Sequence, residues 1–149
     1  MRRRRKRGTH EQANGRSRGG QTTKIHAVAD AFGRLIAFDL TAGQMGDVRS
    51  AAGLIDQLPK AARLLADIAY DSDKFREFLI ARGSTPVIKP NPTRKNIPPF
   101  DKVSYKGRNL IERAFSHLKD WRRVATRYDK LARNFRATVT LALLFRSWI

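Results

Sequence analysis

Tyr105-Lys-Gly-Arg108-Asn-Leu-Ile-Glu112-Arg-Ala-Phe-Ser-His-Leu-Lys119 is the stretch from which the rest of the chain is best read. Wound as a helix at about 100° per residue, it gathers Tyr105, Arg108, Glu112 and Lys119 into an arc of roughly 60°. Leu110, Ile111, Ala114, Phe115, Leu118 and Trp121 supply an apolar side. The spacing predicts a helix from about Gly107 to Trp121, with one face for a core. The opposite stripe sets one carboxylate among cations and a phenol. A carboxylate for a metal beside cations for phosphates suits phosphoryl transfer on nucleic acid. The plainer reading is a surface helix whose Arg108–Glu112 pair, four residues apart, adds about 0.2–0.5 kcal/mol.

Charge favours the nucleic-acid reading. The 149 residues carry 31 Lys and Arg against 13 Asp and Glu, a net charge of +18. Cations that neutralise phosphates release condensed counterions, so a polyanion is the natural partner. The ends hold most of the excess: nine cations face one acid in residues 1–24, and ten face three in residues 108–149. The stretch between them is nearly balanced. Charge alone would equally suit a ribosomal or chromatin protein. With no cysteine, thiolate zinc sites, disulfides and thiol nucleophiles are excluded, in keeping with a cytoplasmic location. No apolar run approaches the ~20 residues that cross a bilayer, and no partner membrane is expected.

Residues 1–21 read as a basic flexible arm. Arg2-Arg-Arg-Arg-Lys-Arg7 is a block of like charge, and Gly15-Arg-Ser-Arg-Gly-Gly20 offers little to bury. Thr22–Ala29 and Arg34–Thr41 then alternate as strands around Asp30-Ala-Phe-Gly33, a hairpin by pattern. Val48–Leu58 suits an amphipathic helix stopped by Pro59. Arg63-Leu-Leu-Ala-Asp67 reads as a buried strand that delivers Asp67 at its C-terminal end. Ser72 or Asp73 caps a helix closed by Gly83, with Asp71 a turn residue. Thr85–Lys89 is a further short strand. Pro90, Pro92, Pro98 and Pro99 make the segment to Tyr105 an exposed loop. A last helix, about Ala132 to Trp148, aligns Phe135, Val139, Ala142 and Leu143. The order is mixed α/β.

Two-metal phosphoryl transfer needs carboxylates from different elements. Glu112 on the helix and Asp67 at the strand end are the candidates, although Asp67 alone could be an ordinary turn residue. His26 reads as structural, and no histidine pair has zinc-ligand spacing.

The spacing of Tyr105, Arg108, Glu112 and Lys119 resembles the Y-x2-R-x3-E-x6-K signature of the DDE transposases of bacterial insertion sequences, matched at every position. Leu65-Ala-Asp67-Ile-Ala-Tyr70-Asp71 resembles the second-aspartate motif of that group. Gly15-Arg-Ser-Arg-Gly-Gly20, Thr23-Lys-Ile-His26, Thr41-x-Gly-Gln44-x-x-Asp47 and Arg123-Val-Ala-Thr-Arg-Tyr-Asp-Lys130 extend the resemblance in order along the chain.

The resemblance implies an RNase H-like fold over residues 22–149, a mixed sheet with flanking helices, incomplete at its first strand. It implies a DNA transposase that cleaves and transfers strands with Mg²⁺, or Mn²⁺ in its place, held by Asp67 and Glu112. Tyr105, Arg108 and Lys119, with the basic Arg113, Arg122 and Arg123, are then the expected DNA contacts. Transposon ends and target DNA are the implied substrates, a homo-oligomer the implied assembly, and the bacterial nucleoid the implied location.

One departure qualifies this. The family's triad opens with an aspartate upstream of the Gly15-Arg-Ser-Arg stretch, and residues 1–14 contain none. The expectation is either a downstream-frame product that works with an upstream-frame segment, or a non-catalytic basic DNA-binding remnant.

Overall fold

The computed structural model describes residues 13, 15–17, 20–43, 46–126 and 131–147. Most of the expected basic arm, and the Arg127–Lys130 end of one family-like segment, lie outside the described residues. The chain divides into two compact units, Gly46–Glu112 and a second made of Met1–Met45 with Arg113–Ile149.

In the discontinuous unit, β1 (Gly15–Ser17), β2 (Gly20–Ala29) and β3 (Leu35–Ala42) form an antiparallel sheet in that order. The β2–β3 register pairs Ile25 with Leu40 and His26 with Asp39. Leu40 is buried, whereas Ile36, on the same face but nearer the turn, is exposed. The turn between them needs a left-handed residue, and Gly33 supplies it at φ +79°. Asp30 fixes the same turn by accepting from the Phe32 and Arg34 amides at 2.9 and 3.0 Å. β1 is a difference from the sequence reading, because its Gly- and Arg-rich text carries no strand pattern. It pairs only along Gly20–Thr22.

The helical part of this unit is α5 (Arg122–Ala125), α6 (Ala132–Ser147) and the C-terminal portion of α4 (Asn109–Lys119). Phe135, Val139 and Ala142 of α6 join Leu118, Val124 and Leu40 in one buried cluster. Burying a side chain the size of leucine or phenylalanine contributes about 1.5–3 kcal/mol. Trp121 ends outside the helix predicted to contain it. It precedes α5, half-exposed, with its ring 5.7 Å from Phe145. His26 is buried and hydrogen-bonded to Thr41 Oγ1 at 2.7 Å, a structural role.

The continuous unit contains α1 (Asp47–Asp56), β4 (Arg63–Ala66), α2 (Asp73–Ala81), β5 (Thr85–Ile88) and α3 (Lys102–Tyr105), and ends in the first turn of α4. β4 and β5 run parallel, Leu65 opposite Val87, with α2 as the connection between them. Parallel neighbours require such a crossover. Ser72 caps α2 by accepting from the Phe75 amide at 3.1 Å. Gly83, at φ +76°, closes it, with its amide donating to the Ile80 carbonyl at 2.8 Å. Phe75, Leu79, Val87 and Ile88 are buried between helix and strands.

The structure is thus mixed α/β, with two small sheets in place of a single expected one. The predicted helix over 107–121 is also broken. Tyr105 ends α3, Lys106–Arg108 form a 3-10 turn, and α4 begins at Asn109. Gly107 sits at the break, where glycine disfavours a regular helix by about 1 kcal/mol. Its backbone passes close to β4, since a Cβ there would lie 3.2 Å from Leu65 Cδ2.

Candidate active site

The end of β4 and the start of α4 converge on one guanidinium. Arg108 Nη1 lies 3.3 Å from Asp67 Oδ1, and Nη2 lies 2.8 Å from Glu112 Oε1. Nη1 also donates to Tyr105 Oη at 2.8 Å, and the guanidinium carbon stands 5.6 Å from the centre of the Tyr105 ring. Phe100 braces that ring edge-on at 5.0 Å. All of these residues belong to the continuous unit.

Local sequence explains each placement. Asp67 follows β4 and caps the 3-10 turn Ile68–Tyr70, its carboxylate accepting from the Ile68 amide at 2.7 Å. Arg108 and Glu112 are one helical turn apart, so their pairing is a property of the helix itself. Asp101 caps α3 through the Val103 and Ser104 amides, both at 3.0 Å, and so sets the direction in which Tyr105 leaves the loop. Arg63 Nη1 donates to Ser104 Oγ at 3.0 Å, tying α3 to β4.

The electrostatics favour a fixed cation. Burial works to lower the Arg108 pKa, but the Tyr105 hydrogen bond and the charges of Asp67, Tyr105 and Glu112 outweigh it, and the net shift is upward. Arg108 is mostly covered, its side chain 21% exposed, while Asp67 and Glu112 are 44% and 56% exposed. Both carboxylates therefore face water and share one positive charge. Beside them, burial first, then the charges of Asp47 and Asp67, push the Tyr70 phenol up to about 12, against the opposing charge of Arg108. Tyr70 is thus a neutral hydroxyl at physiological pH.

Asp67, Tyr105, Arg108 and Glu112 are brought together around the Arg108 guanidinium. Arg113, Lys119, Arg122 and Arg123 are exposed residues of the other unit. Sequence reasoning missed Asp71, which it gave a turn role. Its side chain is fully buried, 2.8 Å from Arg76 Nε and 3.4 Å from Arg94 Nη1, and it accepts from the Asn91 amide at 2.7 Å. Arg76 Nη2 also donates to the Ile88 carbonyl at 3.0 Å. Burial alone would raise the Asp71 pKa. The Asn91 and Arg76 hydrogen bonds and the two arginine charges outweigh it and hold the carboxyl low. The partners come from three segments, so no local pattern could have disclosed the cluster.

Among the described residues, no third His, Cys, Asp or Glu joins Asp67 and Glu112 in a group that could hold a metal. The two carboxylates are hard oxygen donors, the ligand type that Mg²⁺ takes, and both meet the Arg108 cation. No described helix is long and apolar enough to cross a membrane.

Comparison with known proteins identifies the family. Residues 2–145 match the family model described as "Transposase DDE domain". A presumed transposase for insertion sequence element IS6501 of Brucella ovis is 41% identical over 122 residues, which cover 81% of this chain and 94% of that protein. A presumed transposase for insertion sequence element IS402 of Burkholderia cepacia is 30% identical over 137 residues, 85% of this chain but 63% of its own length. No solved structure matches significantly. The shared carboxylates on one arginine, the signature spacing and these matches lead to one assignment: the chain belongs to the DDE-domain transposase family of bacterial insertion sequences.

Proposed function

We propose that Asp67, Arg108 and Glu112 form part of the catalytic centre of a DNA transposase that cleaves and joins strands at the ends of its element and at a target. The observation that carries this reading is the single guanidinium between carboxylates from a strand end and a helix start. Asp67 and Glu112 are the residues that would hold Mg²⁺. A bound Mg²⁺ supplies Lewis-acid charge at a DNA phosphate. Arg108, oriented by Tyr105, holds a backbone phosphate through charge-assisted hydrogen bonds. Helical spacing within α4 puts Lys119 on the same stripe as Glu112, as a second phosphate contact, and Arg113, Arg122 and Arg123 are further DNA contacts of the other unit. The hairpin, the helix and the parallel pair joined by α2 follow the order of an RNase H-like core. Pairing of two DNA ends favours a homo-oligomer at the nucleoid.

The test is transposition of a marked element that carries this reading frame in its own context. Asp67→Asn or Glu112→Gln should each lower transposition about 10²-fold or more, the scale of a lost ligand worth several kcal/mol. Gel-shift affinity should be unchanged within about twofold, because neither change removes a cation. Normal transposition by both variants would refute the assignment.

A further inference from the structure

The segment leading into the site, residues 89–106, carries a second arrangement of charge. Before α3 begins at Lys102, its shape is fixed by bonds rather than by regular structure. Asp71 holds the Asn91 amide and Arg94, and Asn91 Oδ1 accepts from the Thr93 amide and hydroxyl at 3.0 and 2.8 Å. Arg94 also pairs with Asp73. The segment's one acid, Asp101, turns its carboxylate into the cap of α3. Arginine and acid are therefore consumed internally. Lys95, Lys102 and Lys106 are exposed and make no hydrogen bond or ion pair among the described residues. Lys102 and Lys106 are four apart on consecutive helical turns, so they share a stripe.

A stretch that satisfies its own acid and leaves its lysines unpaired is shaped for an external anion. We propose that Lys95, Lys102 and Lys106 form a preformed seat for the backbone phosphates of a DNA duplex, in the segment that leads into Arg108. This inference rests on the transposase reading and adds a surface to it. Three phosphate contacts on an ordered segment bind without the cost of first ordering that segment. A merely solvated charge run would contribute only through its net charge.

The test separates the two. The full chain is titrated with salt against a 30-base-pair mixed-sequence duplex, comparing Lys95→Ala/Lys102→Ala/Lys106→Ala with Arg49→Ala/Lys60→Ala/Lys74→Ala. The second variant removes three exposed cations from elsewhere in the same unit. Both should fold normally, as checked by thermal melting, since none of the six pairs with another described residue. Each lost phosphate contact lowers the slope of log K against log salt by about 0.9. The lysine variant should lose about 2.7 in slope, and the control less than about 1. A difference between the variants below about 1.5 would overturn the seat. Asp67, Arg108 and Glu112 are intact in both variants. Failure here leaves the metal-site reading standing, and failure of the transposition test leaves any slope difference standing.

Discussion

Arg108→Ala should cost both DNA binding and transposition, about tenfold or more in gel-shift affinity and about 10²-fold or more in transposition frequency. The double loss follows from what the guanidinium does. It is the cation shared by Asp67 and Glu112, at 3.3 and 2.8 Å, and on the proposed reading it also meets a DNA phosphate. A hydrogen bond to a charged group contributes about 1.5–3 kcal/mol, which corresponds to roughly tenfold or more in affinity. Removing the cation also leaves two carboxylates facing an approaching polyanion without compensation. Arg108→Lys should restore only part of the loss, because one ammonium cannot reproduce the planar fork that reaches Tyr105, Asp67 and Glu112 together. Folding should hardly change, since both acids are substantially exposed and surface ion pairs contribute about 0–1 kcal/mol. Parallel gel shifts and transposition assays would show it. Wild-type binding by Arg108→Ala would mean that the arginine is structural.

Asp71→Ala should destabilise the protein by about 3–5 kcal/mol, read from urea melts, because it strands a buried guanidinium. The Asp71 and Arg76 side chains are 0% and 9% exposed, so the arginine left behind keeps its bond to the Ile88 carbonyl but loses its buried counter-charge. Losing Asp71 also frees the Asn91 amide and leaves Arg94 with Asp73 alone, so the start of the proline-rich loop should loosen with it. Asp71→Ala/Arg76→Met should recover part of the loss, since removing both charges is far less costly than removing one. The pH dependence has a definite sign. The Asp71 pKa is lower folded than unfolded, so its contribution is complete above the ordinary aspartate value of about 3.9 and is lost as pH falls below it through the folded value. Asp71→Ala should therefore flatten the acid limb of the stability curve.

The contrast between these two acids marks what the chain discloses as text. Asp67 is legible because a short apolar strand, Arg63–Ala66, must end in something, and its end is where an open α/β edge presents side chains. Glu112 is legible because helical period places it with Arg108. Their meeting is not, since it depends on α3 and the 3-10 turn laying Gly107 against Leu65. The same turn broke the predicted continuous helix. Ser72, Gly33 and Gly83 were readable because a cap or a positive φ imposes a residue type locally. Asp71 shows the opposite case: its partners Arg76, Asn91 and Arg94 are set by tertiary packing, and an aspartate after Tyr70 looks like any turn residue. β1, α3 and α5 escaped notice because they are three or four residues long and carry no apolar period; α3 makes a helix of Lys102–Tyr105, where the prolines upstream suggest loop throughout.

The claim that Asp67 and Glu112 are ligands for one divalent ion is tested most directly by Mn²⁺ titration of the 149-residue chain, followed by electron paramagnetic resonance of the free ion. The account predicts one weak site per chain, because only two carboxylates meet at Arg108 and no third described acid joins them. That site should vanish in Asp67→Asn and in Glu112→Gln, and tighten in Arg108→Ala, where the competing guanidinium is gone. A Mn²⁺ isotherm unchanged by both acid substitutions would contradict the account.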